Sequence, residues 1–372
     1  MTSEERHEAR YQRRFASRKP KEPQPTFEEV FTFEHLYQSY RKCILGVGWK
    51  ASVQRFKETG FSQIGILQSK LLSGKWKSRG FYEFDRWERG KLRHIKSVDI
   101  AERVVQRCLC DYCLTPILTR HLIYDNSATI KGRGINFAHE RLRGHLVSHY
   151  QKYGRSGYCV RYDMHDYFAS LPHEPLYAML RKAIHDERIV NLTIQLISNF
   201  GDKGLGLGSQ VSQICAVFFM TTFDRYVVHT LGIKRYGRYM DDGYAICATK
   251  EQAHKVLDSL REYAATVGIE VNEKKCTIAA LHKGILWLKS HYYVLPSGAI
   301  LRKPCRDSIR RERQRLKVFV RWVKEGKVDK SLLHSSYESW QSWNLHCNAR
   351  QTRAEMKQYL LNLCKKEGIE YE

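Results

Sequence analysis

The sequence predicts an α+β fold built in two or three lobes. Three observations carry that prediction. The chain has 372 residues, enough for a substantial core. Strand patterns closed by tight turns recur in its middle, most clearly over residues 236–247, as hairpins of an antiparallel sheet would. Amphipathic helical patterns separate those strands and fill the C-terminal part.

Composition narrows the partner. An apolar content of 42% is ordinary, but 63 Lys+Arg against 39 Asp+Glu leaves a net charge of +24. Such an excess favours a polyanion, either nucleic acid or an anionic membrane. The longest apolar run, residues 214–220, is far short of a membrane span, and the N-terminus shows no apolar signal region. The eleven cysteines are scattered and odd in number, which argues against a disulfide framework. A reducing, cytoplasmic compartment follows, with nucleic acid as the expected anion and no membrane partner.

Residues 1–25 are rich in Arg, Lys, Glu and Pro and read as a basic flexible arm. Phe31, Phe33, Leu36, Tyr37, Ile44 and Val47 then suggest helices between residues 26 and 78, broken at 45–50. Residues 81–95 alternate and turn at Arg89-Gly90, as a basic hairpin would. Its Lys91 and Arg93 would either clamp a triphosphate or form a solvated strand. The next helix places Ile100, Val104, Val105, Leu109 and Leu114 on one apolar face. Cys108, Cys110 and Cys113 fall within that helix, which favours core packing over a zinc site. Residues 127–134 form a glycine-punctuated basic loop, where backbone amides and Arg133 would meet phosphate or simply turn the chain.

Residues 157–168 begin as a buried strand and run into Asp163, a carboxylate at a strand end. A helix start follows at 170–173. Over residues 201–213, glycines at every second position let the backbone approach a flat or phosphate-bearing ligand. The stretch lacks both the P-loop ending and the dinucleotide fingerprint, so neither an ATPase nor a dehydrogenase is supported. A mostly buried helix is expected over about 209–228. Residues 236–247 then give two short strands meeting at Asp241-Asp242-Gly243, with Gly243 as the positive-φ residue of the turn. Two adjacent carboxylates repel one another, and a hard divalent metal would neutralise both. A solvated acidic turn is the plain alternative. Downstream we expect a helix over 251–266, a strand with a basic turn over 268–278, and a hairpin from Ile285 closing near 296–298. From about Arg302 the chain reads as a basic helical lobe, with Arg310, Arg311, Arg313, Arg315 and Lys317 on one helix. With Trp322, Trp340 and Trp343 it suits a duplex-holding surface.

In this order the pieces resemble the reverse transcriptase family, its bacterial members in particular, over about residues 80–350. Asp163-Met164-His165-Asp166-Tyr167-Phe168 is similar to the first acidic motif of the palm, and Tyr239-Met240-Asp241-Asp242 matches the catalytic hairpin. Asn272 to Lys275 resembles the motif that follows. Trp287-Leu288 resembles the primer grip, with Lys289 where a glycine is usual. The resemblance implies a right-hand polymerase fold: fingers over 26–156, a palm of antiparallel sheet plus helices over 157–295, and a basic helical thumb over 296–372. A helical segment at about 173–203 would interrupt the palm.

The resemblance also implies roles. Asp163, Asp241 and Asp242 would be catalytic and hold two Mg2+ ions, with Mn2+ as a substitute, and Lys275 would protonate the leaving pyrophosphate. Lys91, Arg93, Met164, Phe168, Leu207, Gly208 and Gln213 would contact the nucleotide, Phe168 as the gate against a ribose 2′-OH. Arg133, Tyr239, Trp287, Leu288, Arg311 and Arg315 would contact nucleic acid. The implied partners are an RNA template, an RNA or DNA primer and dNTPs. No RNase H-like, maturase or endonuclease domain is expected after the thumb.

Within the family, the Gly-x-x-x-Ser-Gln pattern of Gly208 to Gln213 looks like that of diversity-generating retroelements. Those enzymes misread adenines in a template-repeat RNA and work with a small basic accessory protein. Leu207, where Gln is common, fits relaxed discrimination, whereas Gly206 departs from the usual Pro. The rival within the family is a phage-defence or abortive-infection reverse transcriptase acting with a structured non-coding RNA. The rival outside it is a non-catalytic RNA-binding protein on a decayed palm, against which the retained Asp163, Asp241, Asp242 and Lys275 argue.

Overall fold

Contacts divide the chain into two units: residues up to His121 with Leu171–Phe219, and Leu122–Ser170 with everything from Met220 onward. The structure, a computed structural model, describes residues 23–88 and 91–371, without the side chains of Glu88, Lys91 and Arg93. All but the last three residues of the expected basic arm, and the expected turn at Arg89-Gly90, lie outside the described residues.

The first unit is helical apart from one hairpin. Thr26 and Glu29 form a capping box that starts the helix Phe27–Val30, and Thr32 caps the next, Phe33–Cys43. The chain turns over residues 44–50, then resumes as Ala51–Glu58 and Gly60–Leu72. Strands β1 (Tyr82–Glu88) and β2 (Lys91–Ser97) pair antiparallel. Asp99 caps the helix Ile100–Leu109, which continues through a wide turn at Cys110–Leu114. Cys108, Cys110 and Cys113 are fully buried there. The helices His173–Ala183, Glu187–Ser198 and Gln210–Phe219 complete the unit. The single helix expected over 209–228 is interrupted at Met220 and goes on as Thr221–Arg225 and a wide turn, Tyr226–Thr230.

The second unit holds the sheets. Strands β3 (Tyr158–Tyr162), β4 (Tyr236–Tyr239), β5 (Asp242–Cys247) and β6 (Thr277–Ala280) make a four-stranded sheet in the order β4-β5-β3-β6, antiparallel throughout. Leu142 and Leu146 of the helix Ile135–Tyr153 pack with Cys159, Tyr244 and Ile246 on one face. The helix Lys250–Val267 also packs against β3 and β5. This is the α+β, antiparallel class that the sequence predicts.

Two local expectations need correcting. Residues 268–278 are not one strand: Val271 makes an isolated bridge to Met164, a turn follows, and β6 begins only at Thr277. The hairpin begun at Ile285 does not close at 296–298. Strand β7 (Ile285–Trp287) pairs with β8 (Ser290–Val294) across Leu288-Lys289, whose φ values are 41° and 65°. Two consecutive positive-φ residues suit a two-residue hairpin, so Lys289 adopts the backbone that the usual glycine would favour. The turn at 296–298 instead joins β8 to β9 (Ile300–Pro304), the third strand of this sheet. Three helices follow, Arg306–Lys324, Lys330–Leu345 and Arg350–Lys366, around a core of Leu316, Val320, Leu333, Trp340, Met356 and Leu360.

Candidate active site

Strands β3, β4 and β5 end together, and their ends carry the acids. Asp163 follows β3 directly and is 5% exposed. Its main-chain oxygen accepts from Asn272 N–H at 2.9 Å, so the 270s segment is stitched to the strand end. Asn272 Nδ2 donates to Asp163 Oδ1 at 3.1 Å, while Lys275 Nζ donates to Oδ1 at 2.7 Å and to Oδ2 at 2.8 Å. The Tyr239–Asp242 pairing leaves Met240 and Asp241 as a two-residue loop, with Asp242 opening β5.

The left-handed residue of that loop is Met240, at φ 57°, and not Gly243 as expected from the Asp-Gly pair. Gly243 is needed for space: a Cβ there would overlap the ring of Tyr162. Arg238, fully buried, reaches the loop from below, its Nη1 donating to Met240 O at 2.6 Å. Nε and Nη2 of the same guanidinium hold both oxygens of the buried Asp224 at 2.6–3.0 Å. Tyr236 Oη donates to Asp224 Oδ1 at 2.6 Å and is itself hydrogen-bonded to Tyr162. None of this network stood among the residues expected at the site. An arginine in an otherwise buried strand was the available signal, because a buried charge demands a partner.

The electrostatics follow from burial and proximity. Burial, reinforced by Asp241 and Asp163, pushes the Asp242 carboxyl up to about 7. Burial and Asp163 push Asp241 upward as well. Burial pulls the Lys275 ammonium down, but its hydrogen bond to Asp163 and the neighbouring carboxylates outweigh that and hold it above its ordinary value. The cluster is therefore short of positive charge. Among the described residues no three His, Cys, Asp or Glu side chains are already gathered as a cage. Asp163 has both oxygens on Lys275 instead. The donor set nonetheless fits a hard divalent cation: oxygen ligands only, with a mutual repulsion that such an ion would relieve.

The other expected residues divide. Phe168 is half-buried and meets Tyr167 edge-on at 6.1 Å. Met164 is 2% exposed and belongs to the core, its backbone bridging Val271. Trp287 is likewise a core residue at 2% exposure, its ring edge-on to Tyr244 at 4.8 Å. Tyr239 and Leu288 are partly buried against the same cluster. Arg133 donates to the carbonyls of Tyr124 (2.7 Å) and Asn126 (3.1 Å) and lies over the Tyr124 and Phe137 rings. The chain leading into its loop edges β4: Arg238 N–H donates to Asp125 O, and Ser127 N–H to Arg238 O.

Arg311 is exposed and contacts Asp307 O, whereas Arg315 is tied to Glu312 at 2.6 Å and to Ser336 O at 3.0 Å. A neighbouring face is also basic. A groove of about 480 Å³ is lined by Arg306, Arg310, Arg313, Lys317 and Tyr359.

In the first unit, Leu207 is half-buried while Gly208 and Gln213 are exposed. Ser209 Oγ accepts from Ser212 N–H, capping the helix Gln210–Phe219, and donates to Gln106. Gly206 lies against Phe200, where any Cβ would overlap the ring, so a proline is excluded. Strand β2 carries Lys91 and Arg93, whose side chains are outside the described residues.

Many solved structures are similar to this chain, two telomerases among them. One is apo telomerase from Candida tropicalis truncated from its C-terminal domain, with 15% identity over 59% of this chain and 54% of that one, at a TM-score of 0.46. The other is telomerase from Candida albicans in complex with the TWJ fragment of telomeric RNA, with 10% identity over 78% and 64%, at a TM-score of 0.47. The chain thus spans between about half and two thirds of their lengths. No curated protein matches. Residues 75–315, well over half the chain, match the family described as reverse transcriptase (RNA-dependent DNA polymerase). Together with the acidic strand ends, that match assigns the chain to the reverse transcriptase family.

Proposed function

We propose that this protein is an RNA-directed DNA polymerase that extends an RNA or DNA primer with dNTPs along an RNA template. The observation that carries the reading is the convergence of Asp163, Asp241, Asp242 and Lys275 at one end of the antiparallel sheet. Two Mg2+ ions held there would lower the pKa of the primer 3′-OH and offset charge on the triphosphate during in-line displacement. Asp163 is oriented for that task by Asn272 and Lys275. Lys275, fully charged and half-exposed, would move from Asp163 to the phosphates and become the proton donor to the leaving group. Phe168 would crowd the sugar edge of the nucleotide, and Lys91 and Arg93 would balance triphosphate charge.

The test is Mg2+-dependent primer extension with dNTPs and rNTPs in parallel. Asp241→Asn should keep the fold and RNA affinity while lowering extension by more than about 1000-fold, since it removes a ligand on which charge stabilisation depends. Normal extension by this variant would sink the assignment.

Within the family we propose the error-prone role of diversity-generating retroelements, with a small basic accessory protein as partner. The Gly208–Gln213 pattern and Leu207 support it, and the packing of Gly206 on Phe200 accounts for the missing proline. Leu207→Gln should reduce misincorporation opposite template adenine, measured by sequencing the products. An unchanged error spectrum counts against this role.

A further inference from the structure

We propose that Arg238 and Asp224 are a positioning pair that holds the acidic turn in its metal-binding conformation. The inference rests on the reading of Asp241 and Asp242 as metal ligands. The geometry is specific to arginine. One edge of the guanidinium, Nε and Nη2, is matched to the two Asp224 oxygens, which leaves Nη1 aimed at Met240 O at 2.6 Å. That carbonyl belongs to the one residue of the turn in a left-handed conformation, φ 57°, which a non-glycine residue holds only when its surroundings dictate it.

Every part of the device is itself fixed. Asp224 receives Tyr236 Oη at 2.6 Å, and Tyr236 is bonded to Tyr162. The Arg238 backbone is held on the same side by Asp125 O (3.2 Å) and Ser127 N–H (3.0 Å). Thr129 Oγ1 lies 3.8 Å from Met240 Sδ, closing the outer side of the turn. Arg238 and Asp224 are both 0% exposed and paired at 2.6 Å, so the guanidinium is held in place on Asp224 while it braces the turn. It acts as a brace set one peptide away from Asp241.

Arg238→Lys keeps the charge but loses the fork, since a single ammonium cannot reproduce the planar two-nitrogen grip on Asp224 together with a third nitrogen on Met240 O. Asp224→Asn keeps the shape and loses the charge that aligns the fork. Full-length variants are compared by Mn2+ titration followed by EPR, by thermal melting, and by kcat and KM for primer extension. Loss of a partner that orients ligands should weaken Mn2+ binding and lower kcat by roughly 10–100-fold, with KM for dNTP within about threefold of wild type. Adding Met240→Gly to Arg238→Lys should recover part of both, because glycine takes positive φ without the brace. Wild-type Mn2+ affinity and kcat in a folded Arg238→Lys or Asp224→Asn protein would overturn the proposal. So would loss of the folded sheet in both variants, which would make the pair a stability element alone. Asp241→Asn calibrates the assay: unchanged Mn2+ binding in that variant means the metal-site reading has failed, independently of Arg238.

Discussion

Gly243 and Arg238 show how individual positions near the acids are constrained from opposite directions. Gly243 sits where the Tyr162 ring leaves no volume, and that ring is anchored through Tyr236 and cannot swing away. Gly243→Ala should therefore destabilise the protein by about 2 kcal/mol or more, the usual range for forcing a methyl into a packed core. Chemical denaturation would measure it, and a loss within experimental error would refute the packing argument. Arg238 is the converse case, a large charged group given a complete set of partners. Breaking a buried pair by removing one partner typically costs about 3–5 kcal/mol, which is why the lysine and asparagine variants are the informative ones.

At the scale of elements, the helix Ile135–Tyr153 joins the two sheets of the second unit, and a histidine on it makes the junction sensitive to acid. His139 is 2% exposed, with Nδ1 at 2.7 Å from Tyr292 Oη on β8. Burial, with help from Arg302 and His346, pushes its pKa down to about 3. In the unfolded chain an imidazole titrates near 6.5, so between about pH 6.5 and 3 the unfolded state binds more protons. Stability is then fully present above about pH 6.5 and declines as pH falls, with a slope approaching about 1.4 kcal/mol per pH unit for this one group. His139→Gln should flatten the stability profile between pH 6.5 and 5 in urea titrations. An identical slope in the variant would show that His139 does not control it.

For the whole molecule the dominant quantity is charge. A net +24 drives non-specific attraction to any polyanion, so specific contacts must be separated from it by salt dependence. The groove is lined by Arg306, Arg310, Arg313 and Lys317, with Arg310 72% exposed beside the exposed Asp307, whereas Arg315 is held by the buried Glu312 and by Ser336 O. Arg310→Ala with Arg313→Ala should reduce the log–log salt slope of RNA binding by about 2, and Arg315→Ala by much less. Equal slopes for the two would place the nucleic acid elsewhere. Among the described residues no helix is long and apolar enough to cross a membrane.

Much of this was legible from the chain alone, because local rules govern it. The α+β class, the strands at 158–162 and 236–247, the amphipathic helices and the ordered acids at 163, 241 and 242 follow from alternation, helical spacing and motif order. Family membership rests on that same order. The tertiary structure decided what depends on neighbours distant in sequence. It turned Trp287 and Met164 inward, tied Arg133 and Arg315 to carbonyls, and moved the closure of the Ile285 hairpin to Leu288-Lys289. It also put the positive φ on Met240 and placed Arg238 and Asp224 beneath it. The physical reason is burial. Periodicity tells which residues leave water, but the partner that satisfies a buried charge or carbonyl is set by strands and helices that meet only in the folded chain.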